Sequence, residues 1–436
     1  MLNVDQAATN GHANSETIPI LKEHASLDGF GTRAIHVGSE PSEETGAVIP
    51  SISLSTTYKQ HGVGNHKVRL RVLALGNPNR NALEATLAAL ETGGAHALPS
   101  PTVLQALGPD AHIVSVNDVY GGTFRYMTRV AAENQGVETT FVDLENASND
   151  EILDAFRPNT KLIWIETPTN PTLRVVDIAR IAALARSHPA NPLVLVDNTF
   201  LSPYYASPLA LGADIVMHSL TKYVNGHSDV VMGALLHAKL RFLQNAIGAV
   251  PSAHDCWLAQ RGAKTLHLRM KAHGANALAV ARALERSPHV LKVVYPGLPS
   301  HPHHALARRQ LSAHAARFVG AHARLDAAAA DGGFPYGGMI SFRVRGGARA
   351  AEAFLTGARL FTLAESLGGV ESLAELPAAM THGSIPPAER AALGITDDLI
   401  RLSVGVEEEE DLVADVEQAL EKAMKAAAEA EVEVGA

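Results

Sequence analysis

Six short apolar runs recur through the middle of the chain, at 112–116, 140–142, 162–165, 193–196, 214–217 and 230–236. Each is short for a helix and rich in Val, Ile and Leu, as buried strands are. Between them, and before the first, other stretches carry apolar residues at helical spacing, as in 81–91 and 177–187. Strands alternating with helices predict an α/β fold with a mostly parallel sheet covered on both faces. After about residue 265 the pattern shifts to long Ala/Leu/Arg helices. Strands are expected there at 339–344 and 399–404, and a final helix from Asp411. This second pattern predicts a smaller α+β unit. The expected organisation is a partly disordered N-terminal arm over 1–75, a large domain over 76–265 and a C-terminal small domain over 266–436. The polar stretch 1–25 is expected to be disordered, and the Ala/Glu tail from Lys422 to fray.

Ligands of such sheets sit at the carboxyl ends of the strands. Glu166, Asp197 and Ser219 all fall there, just past apolar runs. Lys222 follows within Ser219-Leu220-Thr221-Lys222-Tyr223-Val224-Asn225-Gly226-His227-Ser228-Asp229. An amine and a carboxylate at two such strand ends are what pyridoxal phosphate (PLP) requires. The lysine condenses with the cofactor aldehyde, and the acid keeps the ring nitrogen protonated. Lys222 and Asp197 take these roles. Ser219 and Thr221 are hydroxyl donors to the phosphate or ring region. Tyr120, in Tyr120-Gly121-Gly122-Thr123, is a ring that can stack on a planar cofactor. Glu166-Thr167-Pro168-Thr169-Asn170-Pro171 is a stiff strand exit that aims Asn170 inward. Arg401 is a candidate clamp for a substrate carboxylate.

Other readings compete. Ser219-Leu220-Thr221-Lys222 also fits the Ser-x-x-Lys of acyl-transfer enzymes, but the Ser-Asp-Asn and Lys-Thr-Gly partners of that class are missing from the chain. Asp197 alone could be a helix cap. Gly29-Phe30-Gly31-Thr32-Arg33-Ala34 has dinucleotide-like glycine spacing, yet no strand precedes it. His301, His303 and His304 share a Pro-rich loop with no carboxylate or Cys partner expected nearby, so no metal site is expected. His227 reads as structural.

Composition narrows the class further. A net charge of −9 favours neither nucleic acid nor an anionic membrane as partner. No run approaches a membrane span, and the N-terminus lacks a basic region followed by an apolar core. One cysteine, Cys256, excludes an internal disulfide. The expected location is cytoplasmic.

With these residues in place, the chain resembles the Cys/Met-metabolism family of PLP-dependent enzymes from about Gly108 to Asp411. The resemblance is carried by Asp118-Val119-Tyr120-Gly121-Gly122-Thr123, by 166–171, by Asp197-Asn198-Thr199-Phe200, and by 218–229, 360–369 and 401–407. It implies a type I PLP-dependent (aspartate aminotransferase-like) fold and a homotetramer built from tight dimers. By the same resemblance Lys222 is the cofactor lysine and Asp197 the ring-nitrogen partner. Tyr120 would have a catalytic as well as a stacking role, and Ser219, Thr221 and Thr199 would contact the cofactor. Arg401, Asn170 and Arg125 would bind substrate, and Glu365 stands where reaction preference is set. The implied reaction is transsulfuration by cleavage of cystathionine to cysteine, 2-oxobutyrate and ammonia. Synthase or O-acylhomoserine sulfhydrylase chemistry stays open, as does a catalytically silent subunit that co-assembles with an intact relative.

Two stretches depart from the family pattern. Lys67-Val68-Arg69-Leu70-Arg71-Val72-Leu73-Ala74-Leu75 places Val72 and Ala74 where a phosphate-binding Tyr and Arg are expected. Ala97-Leu98-Pro99-Ser100-Pro101-Thr102-Val103-Leu104 replaces a Ser-Ser-Gly helix start and is shorter by roughly two helical turns. Both changes fall in one region, which favours a faulty gene model or a splice variant over new chemistry.

Overall fold

A computed structural model describes residues 28–63, 65–66, 77–91, 103–236, 248–326, 329–383 and 385–435. The stretch 1–25, Val72, Ala74 and the 97–102 part of the shortened run lie outside the described residues.

Six strands build the larger sheet: β1 (His112–Val116), β2 (Glu138–Val142), β3 (Thr160–Glu166), β4 (Leu193–Asp197), β5 (Ile215–Ser219) and β6 (Gly233–Leu236). Their order is β2-β1-β3-β4-β5-β6, parallel except for the antiparallel edge strand β6. Every residue of β1 is buried, which accounts for its continuous apolar run. The last strand is shorter than expected because Val230–Met232 leave the ladder. There the Met232 amide donates to the Thr221 hydroxyl at 3.0 Å, and Val231 is exposed.

Helices begin where their caps predict. α1 (Phe30–His36) places Phe30 and Ala34 in the main core. In α2 (Pro78–Leu90) the Asn77 side chain accepts from the amides of Asn79 and Arg80, and Pro78 occupies the first turn, where its missing N–H is harmless. Asp177 caps α3 (Ile178–Ser187) the same way through the Arg180 amide. Next come α4 (Ala253–Lys264) and the long α5 (Leu266–Arg286).

The second sheet holds β7 (Val290–Val294), β8 (Met339–Val344), β9 (Thr362–Leu363), β10 (Leu373–Glu375) and β11 (Leu399–Ser403), in the order β9-β10-β11-β8-β7. It is antiparallel apart from the β9–β10 pair. Phe342 on β8 meets Phe354 of α6 (Gly347–Gly357) edge-on at 5.2 Å. The final helix, α7, runs Glu409–Gly435 without a break. Fraying from Lys422 was expected. Instead the helical backbone continues past it, and beyond Lys422 the buried Ala423 and the partly buried Met424 and Ala427 pack against the core shared with α6. The Ala/Glu composition of this stretch favours helix as well.

No helix among the described residues is long and apolar enough to cross a membrane.

Candidate active site

β3 and β4 lie side by side, with Glu166 opposite Asp197 in register. β5 follows and ends at Ser219. These strand ends open into a cavity of about 750 Å³, lined also by Tyr120, Asn170, Thr199, Thr221, Lys222, Glu365, Ser366 and Arg401. The first sheet supplies the cofactor-facing groups, and β11 with the loop at 365–367 supplies the opposite wall.

Lys222 sits in a tight turn after β5. Its amide bonds to the Ser219 carbonyl at 3.1 Å, and its carbonyl accepts from the Gly226 amide at 2.8 Å. Arg269 of α5 pins the turn by donating to the carbonyls of Tyr223 at 2.6 Å and Val224 at 3.1 Å. Gly226 has φ +72°, and a Cβ there would lie 2.1 Å from the Arg269 Nη1. Gly226→Ala is therefore expected to lower unfolding stability by roughly 2 kcal/mol or more, from left-handed strain plus displacement of Arg269. Denaturant titration measures this directly.

The Lys222 amine donates to the Ser366 hydroxyl at 2.9 Å. Burial, aided by the Arg401 charge, pulls its pKa down, while Glu375 and Glu365 oppose the shift. Such an amine spends more of its time neutral and nucleophilic. Ser366 itself has φ 102°, unusual for a residue with a side chain, and its carbonyl accepts from Arg401 Nη2 at 2.8 Å. Strain at a residue that touches both cations marks it as part of the site.

Asp197 is half-buried on the cavity floor. Thr199 donates to its Oδ1 from both amide (3.0 Å) and hydroxyl (2.5 Å), and the Ser219 amide in turn donates to the Thr199 hydroxyl at 2.9 Å. Thr199 thus orients Asp197 and leaves Oδ2 for a bound donor. Burial raises the Asp197 pKa, while the Thr199 bonds and the charge of His218 pull it down. Thr221 spends its hydroxyl on the Met232 amide, at 3.0 Å. Tyr120 is 47% exposed at the cavity wall, and a Cβ on Gly122 would come within 2.5 Å of its ring. Glycine there is what lets the ring sit as it does.

Arg401 is buried. Its Nη1 donates to Asn170 Oδ1 at 2.9 Å and pairs with Glu375 Oε1 at 2.9 Å. Glu375 stands opposite Arg401 in the β10–β11 register. Because the Asn170 oxygen is occupied, its amide NH₂ is left for a ligand.

Arg125 departs from expectation. It ends the short helix Gly121–Arg125, is exposed, and lies outside the cavity lining. The histidine loop also corrects the reading, since His303 does have a carboxylate partner, Glu145, at 2.7 Å from a distant part of the chain. His301 bonds the Leu173 carbonyl and His304 the Pro296 carbonyl. Among the described residues no group of three metal-ligating side chains converges.

Sequence reasoning assigned no role to Ser366, Glu375 or the fully buried pair of His218 and Glu91, whose Nε2 and Oε1 are 2.5 Å apart. Ser366 stood within a quoted motif, but its backbone strain left no mark there. The other contacts join residues distant in sequence.

The donor set fits PLP. Amine and carboxylate face one cavity, an oriented hydroxyl holds the carboxylate, and an aromatic ring flanks the space. Lys222 would hold the cofactor and Asp197 its ring nitrogen, with Ser219 and Thr221 close by.

The Cys/Met metabolism PLP-dependent enzyme family model matches residues 31–330 and 322–421. The chain is 50% identical over 406 residues to the cystathionine gamma-lyase of Dictyostelium discoideum, covering 90% of this chain and 98% of the relative. It is 49% identical over 409 residues to the cystathionine gamma-lyase of Sus scrofa, covering 90% and 94%. The crystal structure of cystathionine gamma-lyase from yeast matches with a TM-score of 0.82 at 47% identity, covering 91% of this chain and 99% of that one. A cavity built for an amine, an acid and a planar ring, on a fold shared from α1 to α7, thus places the chain in the Cys/Met metabolism family of PLP-dependent enzymes, with their type I fold.

Proposed function

We propose that the chain is a PLP-dependent carbon–sulfur lyase that cleaves cystathionine to cysteine, 2-oxobutyrate and ammonia. One observation carries this reading. Lys222, Asp197 and Arg401 converge on one cavity in a chain half identical to proteins named cystathionine gamma-lyase.

Bound PLP supplies an electron sink conjugated to the substrate α-carbon. Arg401 and the Asn170 amide hold the substrate carboxylate, which fixes the α-carbon over the floor of the cavity. Lys222, with its pKa lowered by burial, takes the α-proton at Nζ and returns a proton to the departing side of the substrate. The Ser366 hydroxyl, 2.9 Å from Nζ, keeps the amine aimed between these tasks. Asp197, braced by Thr199, would keep a proton on the ring nitrogen. Tyr120, at the cavity wall, would stack on the planar cofactor and limit water. Glu365, exposed on the far wall, is placed to read the distal end of a long substrate.

Purified protein loaded with PLP should release 2-oxobutyrate from cystathionine faster than it forms product from O-acylhomoserine and a thiol. The reverse preference would make it a synthase or sulfhydrylase.

A second reading concerns the cofactor itself. Val72, Ala74 and the 97–104 run remove polar groups expected at the phosphate, so PLP retention is weaker than the lysine and acid would otherwise give. Titrating apoprotein with PLP by absorbance tests this, since saturation at equimolar cofactor would overturn it. The same family reading gives a cytoplasmic homotetramer, which sedimentation checks.

A further inference from the structure

Glu166 and Asp197 are register partners on adjacent parallel strands, and both line the cavity. Parallel strands run about 4.8 Å apart, so the two carboxyl groups leave the backbone as near neighbours. Glu166 is only 5% exposed. Two carboxylates this close in a desolvated site do not both stay ionised. The remaining question is which one carries the proton.

The hydrogen bonds answer it. Asp197 Oδ1 accepts two bonds from Thr199, and the charge of His218 also favours its ionised form. Glu166 accepts at Oε2 from the Tyr120 amide at 2.9 Å, and the Trp164 indole adds a weaker pull toward its ionised form. Its Oε1 is buried with no hydrogen-bond partner among the described residues. Asp118, a further acid, adds to the negative field around it, and no cation forms an ion pair with Glu166 among the described residues. The cations of the cavity are engaged elsewhere, Arg401 with Glu375 and Lys222 with Ser366. Burial first, and the Asp197 charge second, hold the Glu166 carboxyl well above the usual carboxylate range.

We propose that Glu166 works as a neutral carboxylic acid, leaving Asp197 as the single negative charge at the paired strand ends. The arrangement balances charge, because one carboxylate meets one protonated ring nitrogen. The inference rests on the pairing of Asp197 with the ring nitrogen.

Glu166→Gln separates the possibilities, since the amide keeps shape and a donor but carries no charge. PLP affinity of Glu166→Gln is expected within about threefold of the parent, whereas Asp197→Asn should weaken it by roughly 10- to 100-fold. A second readout needs no cofactor. A carboxyl whose folded pKa is raised binds more protons folded than unfolded, so stability falls as pH climbs from the ordinary Glu value toward the folded one. Glu166→Gln removes that loss. The thermal midpoint of the apoprotein variant should therefore exceed the parent's, by a margin that widens as pH climbs above the ordinary Glu value. A variant that binds PLP as poorly as Asp197→Asn, or whose midpoint falls below the parent's equally at all pH values, would overturn the neutral-acid assignment. If Asp197→Asn binds PLP normally, the ring-nitrogen reading fails instead, and the pH-dependent midpoint still reports on Glu166 alone.

Discussion

Lys222→Ala is expected to lower cystathionine cleavage by roughly 10,000-fold or more, because one side chain both holds the cofactor and moves the substrate protons. Among the described residues no other amine lines the cavity to replace it. Arg401 is too basic to act as a proton acceptor and is committed to Asn170, Glu375 and Ser366. The protein should stay folded, since the turn around Lys222 is held by its backbone and by Arg269 rather than by the lysine amine. Steady-state release of 2-oxobutyrate, with borohydride trapping and peptide mass spectrometry, checks both parts. The parent should gain the cofactor mass on the Lys222 peptide and the variant should not. Residual turnover within tenfold of the parent would mean that the proton carrier lies elsewhere.

The second large effect combines stability and binding. Arg401→Gln leaves Glu375 buried without its cation, a loss of about 3–5 kcal/mol in comparable buried pairs. The Glu375 pKa is already raised by burial, and the Arg401 charge is the main force holding it down. In the variant the carboxyl can protonate instead. The stability loss should then ease as pH falls toward about 4, where the unfolded chain also holds that proton. Adding Glu375→Gln should restore much of the stability at neutral pH. It should not restore binding of the substrate carboxylate, so the double variant should refold yet keep a greatly raised KM. Thermal melts and saturation kinetics on the same samples separate the two effects. If the double variant regains normal KM, Arg401 is a structural partner of Glu375 and not the substrate clamp.

Much of the site was legible because strand ends are legible. A buried strand must be apolar, so the first polar residue after it stands out, and Glu166, Asp197 and Ser219 were found this way. Glu166 was located without a role, since its character depends on a neighbour one strand away. Thr199 was read as a cofactor contact, but its hydroxyl turns back to Asp197. Arg125 sat next to a recognised motif, but it is exposed and lies outside the cavity lining. Helix α7 outran its expected end because low-complexity Ala/Glu is itself a strong helix former, and Ala423, Met424 and Ala427 still touch the core.

By itself, the order of apolar and polar residues determined an α/β sheet, the edges where chemistry belongs, and the pairing of an amine with an acid. These follow from local rules: burial selects apolar side chains, and turns select Gly, Asp and Ser. Only the tertiary structure decided which carboxyl keeps a proton, which cation is neutralised by Glu375, and that Ser366 is strained against Lys222. Those properties arise from desolvation and from distances between residues far apart in the chain, and both exist only once the two sheets have closed around the cavity.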